Sequence, residues 1–211
     1  MKAVPTVPAK EAIAAMPPFQ ALHAAQVRLV TAGEEAEVAA VLRAHACLGF
    51  DTESRPTFHK GQNSDGPHLV QFAVADRAWL FQTRTAAAQA AVAAILHDPV
   101  IAKVGFGLAN DTSQLAAKFG IHPHNLVDLD RHFRRLGHRN SVGARGAIAL
   151  LFEQRFVKSK RISTSNWSLA QLSEAQLLYA ANDAYAAYRV FEALRTLLPD
   201  MPEIDHGSAD V

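Results

Sequence analysis

The 211-residue sequence has little cysteine, little net charge and no long apolar run. Its single cysteine, Cys47, excludes an intramolecular disulfide and has no neighbouring cysteine that would form a metal-ligand spacing. We interpret it as a buried thiol of a protein that folds in a reducing compartment. The formal net charge of +1 excludes attraction of acidic partners by the field of the whole molecule. Any binding of nucleic acid must therefore depend on local groups of basic residues.

The sequence contains no long apolar run, which argues against a membrane segment or a secretion signal. The most apolar helical stretch, residues 86–96, is too short to span a bilayer. Pro5, Pro8, Lys10 and Glu11 interrupt any apolar core of a signal peptide. We therefore expect no export and no membrane anchoring. The expected location is the cytoplasm, in association with the nucleoid if the source is bacterial.

The composition is typical of one globular domain, since 49% of the residues are hydrophobic and 19% are charged. Residues 1–25 contain several prolines and are predicted to form an N-terminal arm. Residues 26–198 are predicted to form the functional domain. Residues 199–211 are polar and are predicted to be a flexible C-terminal tail.

Hydrophobic periodicity predicts a mixture of strands and helices. The predicted strands are residues 26–30, 47–54, 68–75, 78–83, 100–107 and 126–130. The predicted helices are residues 34–45, 85–97, 109–119, 131–136, 142–156 and 172–197. Early strands in series, followed by alternating helices and strands, predict a mixed β-sheet with helices on both faces. The fold class is therefore α/β, or α+β by a stricter count.

Four carboxylates lie inside segments that are otherwise apolar or built from small residues. Asp51 and Glu53 occur in GFDTES, Asp111 in VGFGLAND and Asp183 in YAANDAYA. A buried carboxylate is costly unless a cation or another partner neutralises it. Four carboxylates in similar surroundings therefore predict one shared cation site and metal-dependent phosphate chemistry.

The predicted elements can bring these groups to one edge of the sheet. Asp51 and Glu53 are two residues apart on a strand and leave the same face. Asp111 begins a helix, where the helix dipole favours an anion. Tyr179 and Asp183 are four residues apart on the long helix and share a face. Because clustered carboxylates repel, we expect Mg²⁺ or Mn²⁺ between them, and two such ions can activate a water for phosphodiester hydrolysis.

Each acidic residue taken alone has an ordinary interpretation. An Asp-X-Glu pair on a strand is commonly a surface or capping pair. Asp111 alone fits the first turn of a helix, and Asp183 alone fits an exposed helix face. The metal-site hypothesis depends on the combination and on the sequence around each acid.

Three fragments resemble the three exonuclease motifs of the DEDD 3′-5′ exonucleases: FDTESRP, VGFGLANDTSQL and SNWSLAQLSEAQLLYAANDAYAAYRVF. The resemblance is to the subgroup with a tyrosine in the third motif, DEDDy, and within it to the Werner-type exonuclease domain and ribonuclease D. The sister subgroup has a histidine five residues before the final aspartate, where this chain has Leu178. The sequence thus fits the tyrosine subgroup.

The resemblance implies a ribonuclease-H-like fold and a 3′-5′ exonuclease that releases nucleoside 5′-monophosphates from DNA or RNA. It implies that Asp51, Glu53, Asp111 and Asp183 hold two Mg²⁺ or Mn²⁺ ions. Tyr179 is the fifth catalytic residue, expected to orient the attacking water. The implied partner is a nucleic acid with a free 3′ end.

Substrate contacts require cations beside the acidic centre, because metal ions neutralise only the scissile phosphate. The basic, hydroxyl-rich loop at residues 157–168 is one candidate, and a solvated loop is the alternative. Phe106 and Leu108 line either the site or the core, and Trp167 is interpreted as a core residue rather than a base-stacking platform. The predicted substrate-binding residues are Thr52, Arg55, Phe106, Leu108, Lys158, Lys160 and Arg161.

Two other functions fit the same pattern. The first is a catalytically silent nucleic-acid-binding module on the same fold, although such modules typically lose a ligand and this chain retains all five positions. The second is a hydrolase of short oligonucleotides (nano-RNA), which differs only in the length of its substrate.

Overall fold

The computed structural model describes residues 6–56 and 65–197, and a mixed β-sheet forms its centre. The strands of the described residues are β1 Val27–Leu29, β2 Cys47–Glu53, β3 Leu69–Ala73, β4 Ala78–Gln82, β5 Ala102–Gly105 and β6 Leu126–Asp128. Their order in the sheet is β1-β4-β3-β2-β5-β6. The pairs β2–β3 and β3–β4 are antiparallel, and the other three pairs are parallel. β2 is therefore an interior strand.

Helices pack on both faces of this sheet. The helices of the described residues are α1 Lys10–Ala15, α2 Glu35–Leu42, α3 Ala86–Leu96, α4 Ala109–Phe119, α5 Leu129–Arg135, α6 Gly143–Phe152, α7 Lys160–Ser163 and α8 Glu174–Leu197. The Thr85 side chain caps α3 by accepting a hydrogen bond from the Ala88 N–H at 3.1 Å, and α4 ends at Gly120 with φ at +65°. Within the part of the chain that the structure describes, no helix is both long and apolar enough to cross a membrane.

Side-chain alternation along β2 divides the core into two layers. Leu48 and Phe50 are buried in a cluster with side chains of α2, α3 and α4, and the opposite face packs against α6 and α8. Because alternate residues share a face, Asp51 and Glu53 lie on the side of α8 and Thr52 on the side of α4. The predicted mixed sheet with helices on both faces is confirmed.

Gly49 sets the distance between β2 and α8. A Cβ atom at this position would overlap the carbonyl oxygen of Ala184 and approach the Cβ atom of Tyr188 to 2.9 Å. Because glycine has no side chain, the α8 backbone can lie directly against the strand that carries Asp51 and Glu53. The glycine thus helps to place Asp183 opposite those two acids.

We expect Gly49→Ala to destabilise the protein by about 1–3 kcal/mol or more, because the added methyl group meets backbone that cannot move aside. Activity should fall as well, since relief of the clash moves α8 and its acid away from β2. Gly146→Ala is the matched control. The atoms nearest to its added Cβ are side-chain atoms of Val142 and Val7, at 3.0 and 3.2 Å, which can shift. Thermal denaturation of both variants tests this; equal melting temperatures would contradict the role of Gly49.

The described part of the N-terminal arm packs against the domain. Phe19 is 7% exposed, and its ring lies 5.7 Å from that of Phe156 and 5.9 Å from that of Tyr185. The Leu22 N–H donates to Asn182 Oδ1 at 2.7 Å, and Asn182 Nδ2 donates back to the Leu22 carbonyl at 3.3 Å. The arm is therefore fastened to α8 at the residue before Asp183. The predicted C-terminal tail, residues 199–211, lies outside the described residues.

Candidate active site

Three of the predicted acids converge where β2 faces α8. Asp51, Glu53 and Asp183 each offer a carboxylate oxygen, and these oxygens lie within 4.8 Å of one another. Glu53 and Asp183 are 9% and 6% exposed. The two-residue spacing on β2 supplies the first pair, and the close approach of α8 supplies the third. The arrangement is a buried, acceptor-only cluster.

Asp111 approaches the cluster from α4 and is held there by Thr52. The Thr52 hydroxyl donates to Asp111 Oδ1 at 2.5 Å, and its backbone N–H donates to Asp51 Oδ1 at 2.9 Å. Thr52 therefore contacts two acids from two motifs. The sequence predicts Thr52 as a substrate-binding residue, and in the structure its polar atoms contact two carboxylates.

Burial raises the pKa values of all four acids, and repulsion within the cluster raises those of Asp51 and Glu53 further. Burial is the first cause for Asp51, and the charges of Asp111 and Asp183 add to it. The pKa of Glu53 is raised from 4.5 to about 10 by burial, followed by the charges of Asp51 and Asp183. Burial also raises the pKa values of Asp111 and Asp183. The site therefore favours bound protons or another cation.

Lys158 is the basic side chain in contact with the cluster. Its Nζ lies 2.6 Å from Asp183 Oδ2 and 5.6 Å from the centre of the Tyr179 ring. Burial alone would lower the pKa of Lys158, but the charges of Asp183 and Asp51 outweigh burial and hold it above its usual value. One ammonium group offsets only part of the negative charge of four carboxylates.

Tyr179 lies one helical turn before Asp183 on α8. Burial and the charge of Asp183 raise its pKa to about 12, so the phenol keeps its proton near neutral pH and acts as a donor. Its ring lies 6.1 Å from that of Trp167, which is fully buried and donates from Nε1 to the Ser163 carbonyl at 3.2 Å. The structure thus places Trp167 in the core, as the sequence indicates.

The donor set fits a hard divalent cation. Asp183 Oδ1 is buried and has no hydrogen-bond partner among the described residues. An unpaired buried carboxylate oxygen beside two further carboxylates is costly unless it binds a cation. The available ligands are all oxygen atoms, which Mg²⁺ and Mn²⁺ prefer. These residues can therefore hold a metal ion.

The other predicted substrate-binding residues occupy different environments. Arg55 forms an ion pair with Asp65 at 2.8 Å, and both side chains are substantially exposed. Phe106 is half-buried against the cluster of α6 and α8, whereas Leu108 is 3% exposed and belongs to the opposite core cluster. Leu108 therefore offers little surface to a ligand. The two basic residues of α7 that were predicted to contact substrate, Lys160 and Arg161, are exposed.

Sequence reasoning missed Arg145. This residue lies in the first turn of α6, and its guanidinium donates to the carbonyl oxygen of Lys158. Its charge also lowers the pKa of Asp183, although burial outweighs that effect. Local sequence gives no signal for this role, because the contact depends on how α6 packs beside the segment before α7.

Thr52→Val removes the hydroxyl that holds Asp111 while keeping the shape of the side chain. We expect any metal-dependent activity of the site to fall about 10–100-fold, the usual effect of losing a group that orients a metal ligand. Thr112→Val is the control, because among the described residues the Thr112 hydroxyl bonds to the Leu108 carbonyl, at 2.8 Å, and not to an acid. Comparing kcat/KM for the two variants tests this; wild-type activity in Thr52→Val would contradict it.

Comparison with known proteins agrees with the resemblance predicted from the sequence. The model of a 3′-5′ exonuclease family matches residues 28–199. The chain is 29% identical over 168 residues to a 3′-5′ exonuclease of Arabidopsis thaliana, covering 77% of this chain and 56% of that protein. It is 29% identical over 153 residues to the bifunctional 3′-5′ exonuclease/ATP-dependent helicase WRN of Mus musculus, covering 71% of this chain and 11% of that protein.

A solved structure of ribonuclease D from Trypanosoma brucei shares the fold, with a TM-score of 0.68 and 18% identity over 84% of this chain and 58% of that chain. The curated relatives are thus much longer than the region they share with this chain. The family match nevertheless covers all three segments that carry the clustered acids, and the predicted resemblance is confirmed. The chain belongs to the 3′-5′ exonuclease family.

Proposed function

We propose that the protein is a divalent-metal-dependent exonuclease that hydrolyses phosphodiester bonds of DNA or RNA from a 3′ end and releases nucleoside 5′-monophosphates. The observation that carries this proposal is the set of three carboxylate oxygens within 4.8 Å of one another. Family membership supports it. The related ribonuclease D was solved as a complex with GMP, which is a nucleoside monophosphate.

Asp51, Glu53, Asp111 and Asp183 would hold one or two Mg²⁺ or Mn²⁺ ions. Bound ions of this kind lower the pKa of water and stabilise the charge of a phosphodiester undergoing attack. The carboxylates supply the ligand oxygens, and Thr52 fixes the position of Asp111.

Tyr179 supplies a hydrogen-bond donor, and Lys158 supplies a positive charge. With its pKa raised to about 12, the Tyr179 phenol donates a hydrogen bond to the attacking water or to a phosphate oxygen and does not act as the base. Lys158 carries a positive charge beside Asp183, where an approaching phosphate would meet it. Its ammonium offsets the repulsion between the acids and an anionic substrate.

The direct test uses 5′-labelled single-stranded DNA and RNA with Mn²⁺, and compares the wild-type protein with Asp51→Ala and Asp183→Asn. We expect the wild type to shorten the labelled strand from its 3′ end and to release nucleoside 5′-monophosphates. Both variants should leave the substrate intact. Equal degradation by all three proteins would refute the assignment.

A binding assay and a series of substrate lengths separate the two alternative functions. Binding of a 3′ overhang without turnover in Mg²⁺ or Mn²⁺ would identify a silent binding module. A strong preference for di- to pentanucleotides over long strands would identify a short-oligonucleotide hydrolase.

A further inference from the structure

Gln71 is a buried side chain whose polar atoms have no partner in the structure. It lies on β3, in the interior of the sheet, and is 0% exposed. Neither Oε1 nor Nε2 of its carboxamide forms a hydrogen bond among the described residues. Such a group is costly to bury, and buried polar groups are normally paired with the protein or with an ordered water molecule. The Gln71 carboxamide therefore needs a partner nearby.

The register of the sheet places Gln71 directly beside Asp51. The two residues are partners in the antiparallel pair of β2 and β3. Directly opposite side chains in such a pair leave the same face, with Cβ atoms about 4.5–5.5 Å apart. Gln71 therefore lies on the face of the sheet that carries Asp51 and Glu53 and packs against α8.

The other neighbours of Gln71 on this face are apolar. Leu69 and Ala73 flank it on β3, and Leu80 is its partner on β4. All three belong to the core cluster that includes side chains of α8. None of these side chains can donate or accept a hydrogen bond. Asp51 is thus the polar neighbour of Gln71 across the strands.

Asp183 has an unpaired atom at the same place. Its Oδ1 is buried and has no hydrogen-bond partner among the described residues, whereas its Oδ2 contacts Lys158. Carboxylate oxygens of Asp51 and Asp183 lie within 4.8 Å of each other. The Asp183 acceptor and the Gln71 amide therefore both adjoin Asp51. One buried water molecule typically makes about three hydrogen bonds, so it can accept from the amide and donate to two carboxylates.

We propose that Gln71 is a positioning residue of the candidate active site, which holds the carboxylates of Asp51 and Asp183 through a buried water molecule. This proposal rests on the metal-dependent function proposed above. The Thr52 N–H already donates to Asp51 Oδ1 at 2.9 Å. The link from Gln71 holds the same acid from the neighbouring strand and connects it to the acid on α8. Carboxylates that are fixed by hydrogen bonds before a metal ion arrives bind it more tightly.

The substitution Gln71→Met tests this role, because methionine is a flexible side chain of similar length that lacks both hydrogen-bonding groups of the amide. Leu80→Met is the matched control, since it places the same side chain at the neighbouring position on the same face. The Kd for Mn²⁺ is measured by isothermal titration calorimetry on chelator-treated protein. Melting temperatures in EDTA verify that each variant is folded, and kcat and KM are measured on a single-stranded oligonucleotide.

We expect Gln71→Met to weaken Mn²⁺ binding about 10–100-fold, the usual effect of losing a group that orients a metal ligand. Near the wild-type Kd for Mn²⁺, kcat should fall as well. KM for the strand should stay at the wild-type value, because Gln71 is fully buried and does not touch the substrate. Leu80→Met should keep the wild-type Kd for Mn²⁺.

A second measurement leaves the chain unaltered. The side-chain amide resonances of isotope-labelled wild-type protein are followed by NMR during titration with Mg²⁺. The amide protons of Gln71 should shift, because their water-mediated partners bind the ion. Those of Gln89, whose Nε2 donates to the Thr83 carbonyl at 3.0 Å on the other side of the sheet, should not.

Three results would overturn the role of Gln71. One is an unchanged Kd for Mn²⁺ in Gln71→Met, which would make Gln71 an unpaired amide of the core. Another is an equal loss of Mn²⁺ affinity in Leu80→Met, which would indicate a general change in packing. The third is a Gln71 resonance that Mg²⁺ does not move. Absence of turnover by the wild type would refute the nuclease function, and the calorimetry would still decide the role of Gln71.

Discussion

Glu53→Gln should raise the melting temperature of the chelator-treated protein. It should also reduce nuclease activity by about 10²–10³-fold, which is the loss typical of removing one group that stabilises transition-state charge. Glu53 is buried beside Asp51 and Asp183, and its pKa is raised to about 10. In the unfolded chain the Glu53 carboxyl group is ionised near neutral pH. The folded state is therefore less stable, because it must either bind a proton at Glu53 or hold the Glu53 carboxylate close to Asp51 and Asp183. Glutamine keeps the shape of the side chain and removes that cost.

Asp183→Asn should abolish activity without the gain in stability. The reason is the ion pair with Lys158 at 2.6 Å, in which the Asp183 side chain is 4% exposed. Removing the carboxylate leaves the partly buried ammonium without this partner, and that loss offsets the stability gained by relieving the burial of the Asp183 charge. The two substitutions therefore change activity in the same direction but stability by different amounts.

Thermal denaturation in EDTA, together with assays in Mn²⁺, measures both effects. Glu37→Gln, at an exposed glutamate of α2, is the control and should change neither quantity appreciably. A lower melting temperature for Glu53→Gln than for the wild type would show that the burial and mutual repulsion of the acids do not destabilise the folded state. An active Glu53→Gln would remove Glu53 from the catalytic set.

The regular elements were predictable because their periodicity is strong and their ends are marked. The helix predicted at residues 109–119 has those bounds in the structure, and Gly120 ends it in the left-handed conformation. The strand predicted at residues 100–107 is shorter, at Ala102–Gly105, because the apolar pattern continues into the turns on either side. The packing of the arm was not predictable: Phe19 and Leu22 are isolated apolar residues in a proline-containing segment, and Leu22 meets a partner 160 positions away.

The acids of the site were predictable in a way that its cations were not. Asp51 and Glu53 share a face on any regular strand, and Tyr179 and Asp183 share one on any helix, so local geometry limits where they lie. Long basic side chains carry no such constraint. The Lys158 side chain contacts Asp183, whereas Arg55, two residues after Glu53, forms an ion pair with Asp65. Such partners depend on tertiary packing, which one sequence does not encode locally.

Divalent metal should stabilise the protein strongly, and more at higher pH. At about 100 times its Kd, Mn²⁺ adds about 2.7 kcal/mol by mass action. For a chain of this size that corresponds to a rise in melting temperature of roughly 5–10 °C. Because protons and metal compete for the same carboxylate oxygens, the rise should be larger near pH 8 than near pH 5.5.

Without metal, stability should fall as the pH rises. The folded-state pKa of Glu53, about 10, lies above its ordinary value of 4.5, so the folded protein binds the proton more tightly than the unfolded chain. The stability from this proton is fully present below about pH 4.5 and is lost as the pH rises through about 10. Burial lowers the pKa of Lys103 to about 8. Above that pH the folded protein binds this proton less tightly than the unfolded chain, so Lys103 makes the stability rise with pH. Between about pH 5 and pH 8 the stability therefore reports on the acids and on the histidines whose pKa values burial lowers.

The difference between wild type and Glu53→Gln isolates the effect of the acidic cluster, because His68 and His132, whose pKa values are lowered by burial, contribute equally to both proteins. In EDTA the melting temperature of the wild type should fall relative to that of Glu53→Gln as the pH rises. Saturating Mn²⁺ should reverse this trend in the wild type and have little effect on Asp51→Ala. A metal-induced shift that is independent of pH, or equal in Asp51→Ala, would mean that the ion binds elsewhere. The carboxylates between β2 and α8 would then need another cation to explain their burial.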